Sequence, residues 1–168
     1  MRRIMPSTAF TVAVTMVSMT ALTVLAGGFA DPRAGGGPDG IKGREVIKIV
    51  TTLPGPRHGR VTASGAFRAN GYFVRKRATL VFPNGRLAIR RHLLGTTYTP
   101  PNLATCWFKI RQNGTFTVFS ATGRYRGLRY GGQFWTNISG RLKRSGPDQC
   151  GSKLVFYRTV TYEIGTIP

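Results

Sequence analysis

Residues 72–94 read YFVRKRATLVFPNGRLAIRRHLL, and this stretch decides the fold class. On both sides of Pro83, Asn84 and Gly85, β-branched, aromatic and aliphatic residues alternate with polar ones, which is typical of strands buried on one face. The Asn-Gly pair can adopt the positive φ angles of a tight hairpin turn. We therefore predict a β-hairpin with strands at residues 72–82 and 86–94.

The chain beyond residue 44 continues in the same way. Strand-like segments separated by glycine, proline or asparagine occur at residues 45–52, 60–67, 105–111, 115–121, 132–142 and 153–164. A second Asn-Gly pair, Asn113 and Gly114, predicts another hairpin between the third and fourth of these segments. Helical spacing is nowhere sustained. The sequence therefore predicts an all-β domain of about eight strands.

Such a set of hairpin-linked strands forms an antiparallel sheet that must bury one face. Closure of the sheet into a barrel buries that face and also removes exposed strand edges. We predict a single small antiparallel β-barrel over residues 44–168, with a β-sandwich as the alternative.

The N-terminus has the pattern of an export signal. Arg2 and Arg3 precede an uncharged, largely apolar stretch, and small residues at Gly28 and Ala30 fit a cleavage site. We predict a signal peptide at residues 1–30 and a secreted protein; the alternative is an uncleaved N-terminal segment that anchors the protein in a membrane. Residues 31–43 are rich in glycine and proline, which predicts a flexible leader.

The chain is strongly basic. It has 25 Lys and Arg against five Asp and Glu, and loss of Arg2 and Arg3 leaves a net charge of +18. Such a charge attracts polyanions, and wall polymers, acidic lipid headgroups and nucleic acid all remain open as partners. Alternatively, the charge only keeps the protein soluble. Clustered cations are the candidate anion-binding residues: Arg75, Lys76, Arg77, Arg90, Arg91, Arg124, Arg126 and Arg129.

Two cysteines, Cys106 and Cys150, lie in a chain that we expect to reach an oxidising compartment. Neither has a nearby His or Cys in the sequence that would complete a metal site. We predict that they form a disulfide, which closes a loop of roughly 45 residues.

Residues 119–142, FSATGRYRGLRYGGQFWTNISGRL, contain a Gly-rich pattern made by Thr122, Gly123, Tyr125, Gly127, Gly131 and Gly132. The pattern resembles a signature of the allene oxide cyclase and dirigent-like barrels, and the chain also resembles small secreted actinobacterial β-barrel proteins of unassigned function. The resemblance supports a barrel, and it implies a cavity of the kind in which the plant members steer cyclisation or coupling of apolar molecules. We expect the glycines to allow left-handed backbone and close approach, and Tyr125 to cover a barrel end.

Residues with catalytic chemistry are sparse. Glu45 and Glu163 lie on the first and last predicted strands, which would be neighbours in an up-and-down barrel, but no motif assigns either a role. His58 and His92 could act as acid and base on a phosphodiester, yet nothing in the sequence specifies their partners. Neither a phosphate loop nor metal-ligand spacing is found in the sequence, so we expect no cofactor and no metal and leave catalytic residues unassigned.

Two functional hypotheses follow. The leading one is a non-enzymatic secreted barrel whose cationic exterior associates with anionic extracellular surfaces or polymers. The alternative is a cavity protein that binds or cyclises a small apolar ligand inside the barrel.

Overall fold

Eight antiparallel strands form a closed barrel in the computed structural model, which describes residues 40–55 and 58–168. Each strand pairs with the next along the chain, and the last returns to pair with the first. The all-β antiparallel barrel is thereby confirmed, and the sandwich alternative is wrong. The strands are β1 (Gly43–Leu53), β2 (Gly59–Gly65), β3 (Ala69–Val74), β4 (Thr79–Phe82), β5 (Gly85–Thr99), β6 (Trp107–Ala121), β7 (Tyr130–Gly146) and β8 (Gln149–Ile167).

Period-two alternation fills the barrel interior with apolar side chains. Along β1, Ile47 and Ile49 are buried while Lys48 between them is exposed. Burial of one such aliphatic side chain stabilises the fold by about 1.5–3 kcal/mol. The core also includes the following residues of other strands: Val61, Ala63, Leu80, Phe82, Leu87, Ile89, Phe116, Val118 and Phe134.

The predicted signal peptide and residues 31–39 of the predicted leader lie outside the described residues. Residues 40–43 of that leader are described, and Ile41 is buried in the core. Strand β1 begins at Gly43, so the chain contributes to the barrel slightly before residue 44.

The predicted hairpin around Pro83 and Asn84 is confirmed, because β4 and β5 pair on either side of these two residues. Its first strand is shorter than predicted. Strand β3 ends at Val74, a short 3-10 turn covers Arg75–Arg77, and Ala78 adopts a left-handed φ of 44° before β4 begins. Three consecutive cations break the apolar alternation, so residues 72–82 form two strands.

The second predicted hairpin is wrong, because Asn113 and Gly114 lie inside the continuous strand β6. Gly114 is not among the glycines with positive φ, although a tight Asn-Gly turn would need one. A Cβ at this position would overlap the carbonyl oxygen of His92 and the ring of Phe134. The glycine therefore permits close approach of neighbouring strands, beside a register shift between Leu93 and Gly95 on β5.

Strands β5 to β8 are longer than β1 to β4 and continue past them as a four-stranded sheet. Residues 149–156 of β8 pair only with β7 in the described register, and β1 joins β8 from Tyr157 onward. At the far end of this sheet Cys106 and Cys150 form the predicted disulfide, with 44 residues separating them in sequence. The bond ties the β5–β6 loop to the start of β8.

Candidate functional site

The outer surface of β1, β2, β3, β6, β7 and β8 carries exposed cations and aromatic rings. Residues directly opposite each other in the sheet share a face, and the register places Trp107, Arg141 and Phe156 in one row. Another row contains Lys109 of β6 and Arg158 of β8. We call this surface the cation–aromatic face; its residues are Lys48, Arg60, Lys109, Arg111, Arg141, Arg158, Tyr72, Trp107, Trp135, Phe156 and Tyr162.

The aromatic rings of this face are held in place by their neighbours. Trp107 packs against Phe156 with ring centroids 5.3 Å apart, and the guanidinium of Arg141 lies 6.0 Å from the Trp107 ring. The ammonium of Lys48 lies 5.6 Å from the Tyr162 ring. Cations within this distance of a ring are attracted to its face. The side chains are thus prearranged while both charge and ring remain accessible to a ligand.

Among residues 40–55 and 58–168, no carboxylate lies on the cation–aromatic face. Glu45 and Glu163, which are the acidic residues of the described strands, point inward and are fully buried. Asp148, the remaining acid of the described residues, lies in the turn between β7 and β8. The six cations of the face therefore have no competing carboxylate beside them on the strands, and their field extends into solvent.

A groove of about 760 Å³ deepens the cation–aromatic face over β1, β2, β3 and β8. Lys48, Arg60 and Arg158 supply three exposed cations from three different strands. Tyr72 forms one wall, where its ring lies 5.3 Å from that of His58. The remaining lining residues are small or aliphatic: Val50, Thr52, Gly59, Thr62 and Gly71.

The barrel interior contains an ion pair. Arg91 Nε donates a 2.7 Å hydrogen bond to Glu163 Oε1, and the guanidinium lies within 5.4 and 5.7 Å of the rings of Phe73 and Phe134. Burial raises the pKa of Glu163, and Arg91 opposes this rise. The aromatic rings around the guanidinium compensate part of the hydration it loses.

Glu45 is the second interior carboxylate. It lies opposite Gly165 on β8, while Glu163 lies opposite Ile47, so the two glutamates are diagonal neighbours on the inner face. Oε2 of Glu45 accepts a 3.0 Å hydrogen bond from the backbone N–H of Phe67. Oε1 is buried without a protein partner. Burial raises the pKa of Glu45 to about 7, which keeps much of this carboxyl protonated near neutral pH.

Tyr130 adds a buried phenol to the polar groups of the interior. Burial and the charges of both glutamates raise the pKa of its phenol. Its ring packs edge-on against Phe116, with centroids 5.9 Å apart, and passes over Gly165. Buried polar atoms without a protein partner occur on Glu45, Glu163, Arg91, Tyr130 and Thr159.

One barrel end carries a second concavity of about 420 Å³. Phe67 and Tyr125 line it, together with Arg68 and Arg124 at its rim. Phe67 also packs against Phe82 and Tyr125, with ring centroids 5.8 and 4.9 Å apart. The backbone N–H of Phe67 donates a hydrogen bond to Glu45. The rings of this cluster therefore lie between the concavity and the interior carboxylate.

The structure does not bring the sequence-predicted anion-binding residues together. Arg75, Lys76 and Arg77 form the exposed turn before β4, while Arg124, Arg126 and Arg129 lie in the connection between β6 and β7. Arg90 lies on the outer surface of β5, with its guanidinium 5.3 Å from the ring of Phe119. Arg91 is paired with Glu163 inside the barrel, so Arg90 and Arg91 face opposite sides of the sheet.

The Gly-rich motif shapes the β6–β7 connection and the start of β7. Gly123 and Gly127 adopt positive φ angles of 62° and 86° after the extended residue Thr122, and Tyr125 is buried in the aromatic cluster. Gly131 and Gly132 do not adopt positive φ; a Cβ at Gly132 would overlap the carbonyl oxygen of Ile164. These glycines allow β7 to approach its neighbours closely.

The two histidines lie on different elements. His58 precedes β2 beside Tyr72, and His92 is exposed on β5, with β3 and β4 between the two strands. In residues 40–55 and 58–168 no three His, Cys, Asp or Glu side chains are grouped as metal ligands would be.

Sequence analysis missed most of the cation–aromatic face. The predicted anion-binding residues come from clusters of neighbouring cations, whereas five cations of the face stand singly within strands: Lys48, Arg60, Lys109, Arg111 and Arg158. Alternation in WFKIRQN at residues 107–113 was a usable signal, since it places Trp107, Lys109 and Arg111 on one side. Which side faces solvent, and which residues stand beside each other on adjacent strands, depends on register.

Comparison of the chain with protein-family models, with curated proteins and with solved structures found no match. The resemblance to allene oxide cyclase and dirigent-like barrels therefore stays a prediction. In the part of the chain that the structure describes, no helix combines the length and the apolar character needed to cross a membrane.

Proposed function

We propose that this protein is a secreted, non-enzymatic barrel that binds an anionic extracellular polymer with its cation–aromatic face. The observation that supports this function best is the arrangement of six cations and five aromatic residues on the outer surface of six neighbouring strands, where no carboxylate of the described strands competes. The Cys106–Cys150 disulfide is consistent with a protein that works outside the cell.

The spacing of the cations suits an extended polymer. Side chains two residues apart on a strand, such as Lys109 and Arg111, are about 7 Å apart, and neighbouring strands are about 4.8 Å apart. A chain with one anion on each repeating unit can therefore meet several cations at once. Each contact releases a counterion, which makes binding depend on salt. Trp107 and Trp135 add flat surfaces against which sugar rings can pack.

The test is retention of the purified, disulfide-bonded protein on immobilised poly(glycerol phosphate) over a series of NaCl concentrations, with neutral dextran as the blank. We expect retention that weakens steeply as salt rises. Replacement of Lys109, Arg111 and Arg141 by Gln should flatten the salt dependence and lower the eluting salt concentration. The matched control replaces Lys42, Lys76 and Arg86 by Gln. These cations are exposed outside the face, and their loss lowers the net charge by the same amount.

Three results would contradict the proposal. One is retention that does not respond to salt. Another is an equal loss in the two triple variants, because binding would then depend on net charge rather than on this face. Elution of both variants with the wild-type profile would also count against it.

A second function, binding or cyclisation of a small apolar ligand, is favoured by the concavity that Phe67 and Tyr125 line above Glu45. If the Phe67 side chain moves aside, a ligand could reach a carboxyl group whose pKa is about 7. An uncharged apolar fluorescent probe, N-phenyl-1-naphthylamine, tests access to this end. Binding that disappears in Ala66→Trp supports the function, and an absence of binding by the folded wild type opposes it.

A further inference from the structure

We propose that the groove over β1, β2, β3 and β8 is a site for a single acidic sugar unit, that is, a sugar ring carrying a phosphate or a carboxylate. The proposal rests on the proposed function, since it identifies which part of a polymer the cation–aromatic face recognises. It can still be tested apart from polymer binding, because a monosaccharide is small enough to occupy the groove alone.

The groove offers three cations to an oxyanion. Lys48, Arg60 and Arg158 belong to three strands, and all three line the same concavity. A guanidinium presents a planar fork of donors that matches phosphate or carboxylate oxygens, and an ammonium adds a point charge. In the described part of the chain none of these three cations forms an ion pair with a carboxylate. Their donors are therefore free to bind a ligand.

The aromatic wall should make the groove prefer an anion that is attached to a sugar ring. Tyr72 lies directly opposite Arg60 in the β2–β3 register, so its ring stands beside the guanidinium. Its side chain is 44% exposed, and His58 supports it from the other side. A sugar whose anion binds Arg60 would place its C–H groups against the Tyr72 ring. Inorganic phosphate would leave that ring in water.

The dimensions and the floor of the groove suit a small saccharide. Its volume of about 760 Å³ falls in the usual range for small-molecule sites, about 300–1,000 Å³. Half-buried Val50 of β1 lies opposite Arg60 of β2 and forms an apolar floor. Thr52 and Thr62 add hydroxyl groups that can donate to or accept from sugar hydroxyls.

The experiment measures dissociation constants by NMR titration with four probes: glucose 6-phosphate, glucuronate, glucose and inorganic phosphate. We expect the first two to bind at least about tenfold more tightly than the last two. The stronger of the two identifies phosphate or carboxylate as the preferred anion. Chemical-shift changes should be largest at residues of the groove.

Three variants separate the contributions. Arg60→Gln should weaken both acidic sugars about tenfold or more, because it removes a charge-assisted hydrogen bond. Tyr72→Ser should abolish the preference for glucose 6-phosphate over inorganic phosphate. Lys153→Gln, on the far end of β8, is the matched control and should leave all four constants unchanged.

Equal affinity for glucose 6-phosphate and inorganic phosphate, with no effect of Tyr72→Ser, would overturn the proposal and leave a simple anion site. Salt-sensitive retention of the polymer could persist in that case, and the proposed function would stand. Conversely, tight binding of acidic sugars in the groove without any polymer retention would support this site and contradict the proposed function.

Discussion

Arg91 on β5 and Glu163 on β8 are joined across the barrel interior by a 2.7 Å hydrogen bond between Nε and Oε1. Glu163 is fully buried and the side chain of Arg91 is 27% exposed, so the pair links a carboxylate in the core to a partly exposed arginine. The two strands are separated in the sheet by β6 and β7. The ion pair therefore crosses the interior and connects strands that form no backbone ladder with each other.

Removal of Arg91 should destabilise the protein strongly. Arg91→Met leaves Glu163 in the core without its cation, and loss of one partner of a buried pair lowers the free energy of unfolding by about 3 kcal/mol or more. Urea unfolding measured by circular dichroism checks this. The double variant Arg91→Met with Glu163→Leu should recover much of the loss, because it removes both charges. A single variant as stable as wild type would show that the pair contributes nothing.

Glu45 should make the free energy of unfolding fall as pH rises, whereas a salt-bridged carboxylate makes it rise. Burial raises its pKa from 4.5 to about 7 in the folded protein, so the folded state binds the proton more tightly than the unfolded state does. The contribution of Glu45 to the free energy of unfolding is present in full below about pH 4.5. About 3 kcal/mol of it is lost as pH rises to about 7. The free energy of unfolding should therefore fall between pH 5 and pH 7.

Glu45→Gln checks this assignment, since glutamine does not titrate and its carbonyl can still accept from Phe67 N–H. The pH dependence of urea unfolding should become shallower in this variant. Part of it should remain, because the pKa of Glu163 is also raised. An unchanged slope would mean that Glu45 does not titrate in this range.

The strand content, the closed antiparallel order and the disulfide could be predicted from sequence because each depends on local signals. Alternation in β1 and in the second half of β8 marks the inner face, and two cysteines allow one pairing. The strand count was also correct, but by two compensating errors. Residues 72–82 became two strands, while residues 105–111 and 115–121 became one.

The candidate sites could be predicted only in part, because they depend on register. That Glu45 and Glu163 would lie on adjacent strands followed from the closed topology, and β1 does pair with β8. Their complete burial did not follow, nor did the pairing of Arg91 with Glu163, which are 72 residues apart in sequence. Arg91 stands next to Arg90 in the chain, and alternation alone does not say which of two adjacent arginines points inward.

The disulfide should stabilise the long four-stranded sheet. Loss of a cross-link over 44 residues raises the entropy of the unfolded chain and lowers the free energy of unfolding by about 4 kcal/mol in the chain-entropy model. Cys106→Ser with Cys150→Ser should therefore unfold at lower urea. Because the cross-link acts through the unfolded chain, amides that exchange by global unfolding should accelerate by a similar factor throughout the barrel. An unchanged urea midpoint would contradict this role.

Asn113→Thr should leave stability unchanged or raise it slightly. Asn113 is an exposed residue in the middle of β6, paired with Gly95 and Trp135, and threonine has a higher strand propensity than asparagine. In a tight Asn-Gly turn the same position would need a positive φ, which a β-branched residue tolerates poorly. Urea unfolding of the variant decides between the two structures. A clear loss of stability, while Asn137→Thr on the same face of β7 is tolerated, would place a turn at Asn113 and contradict the continuous strand.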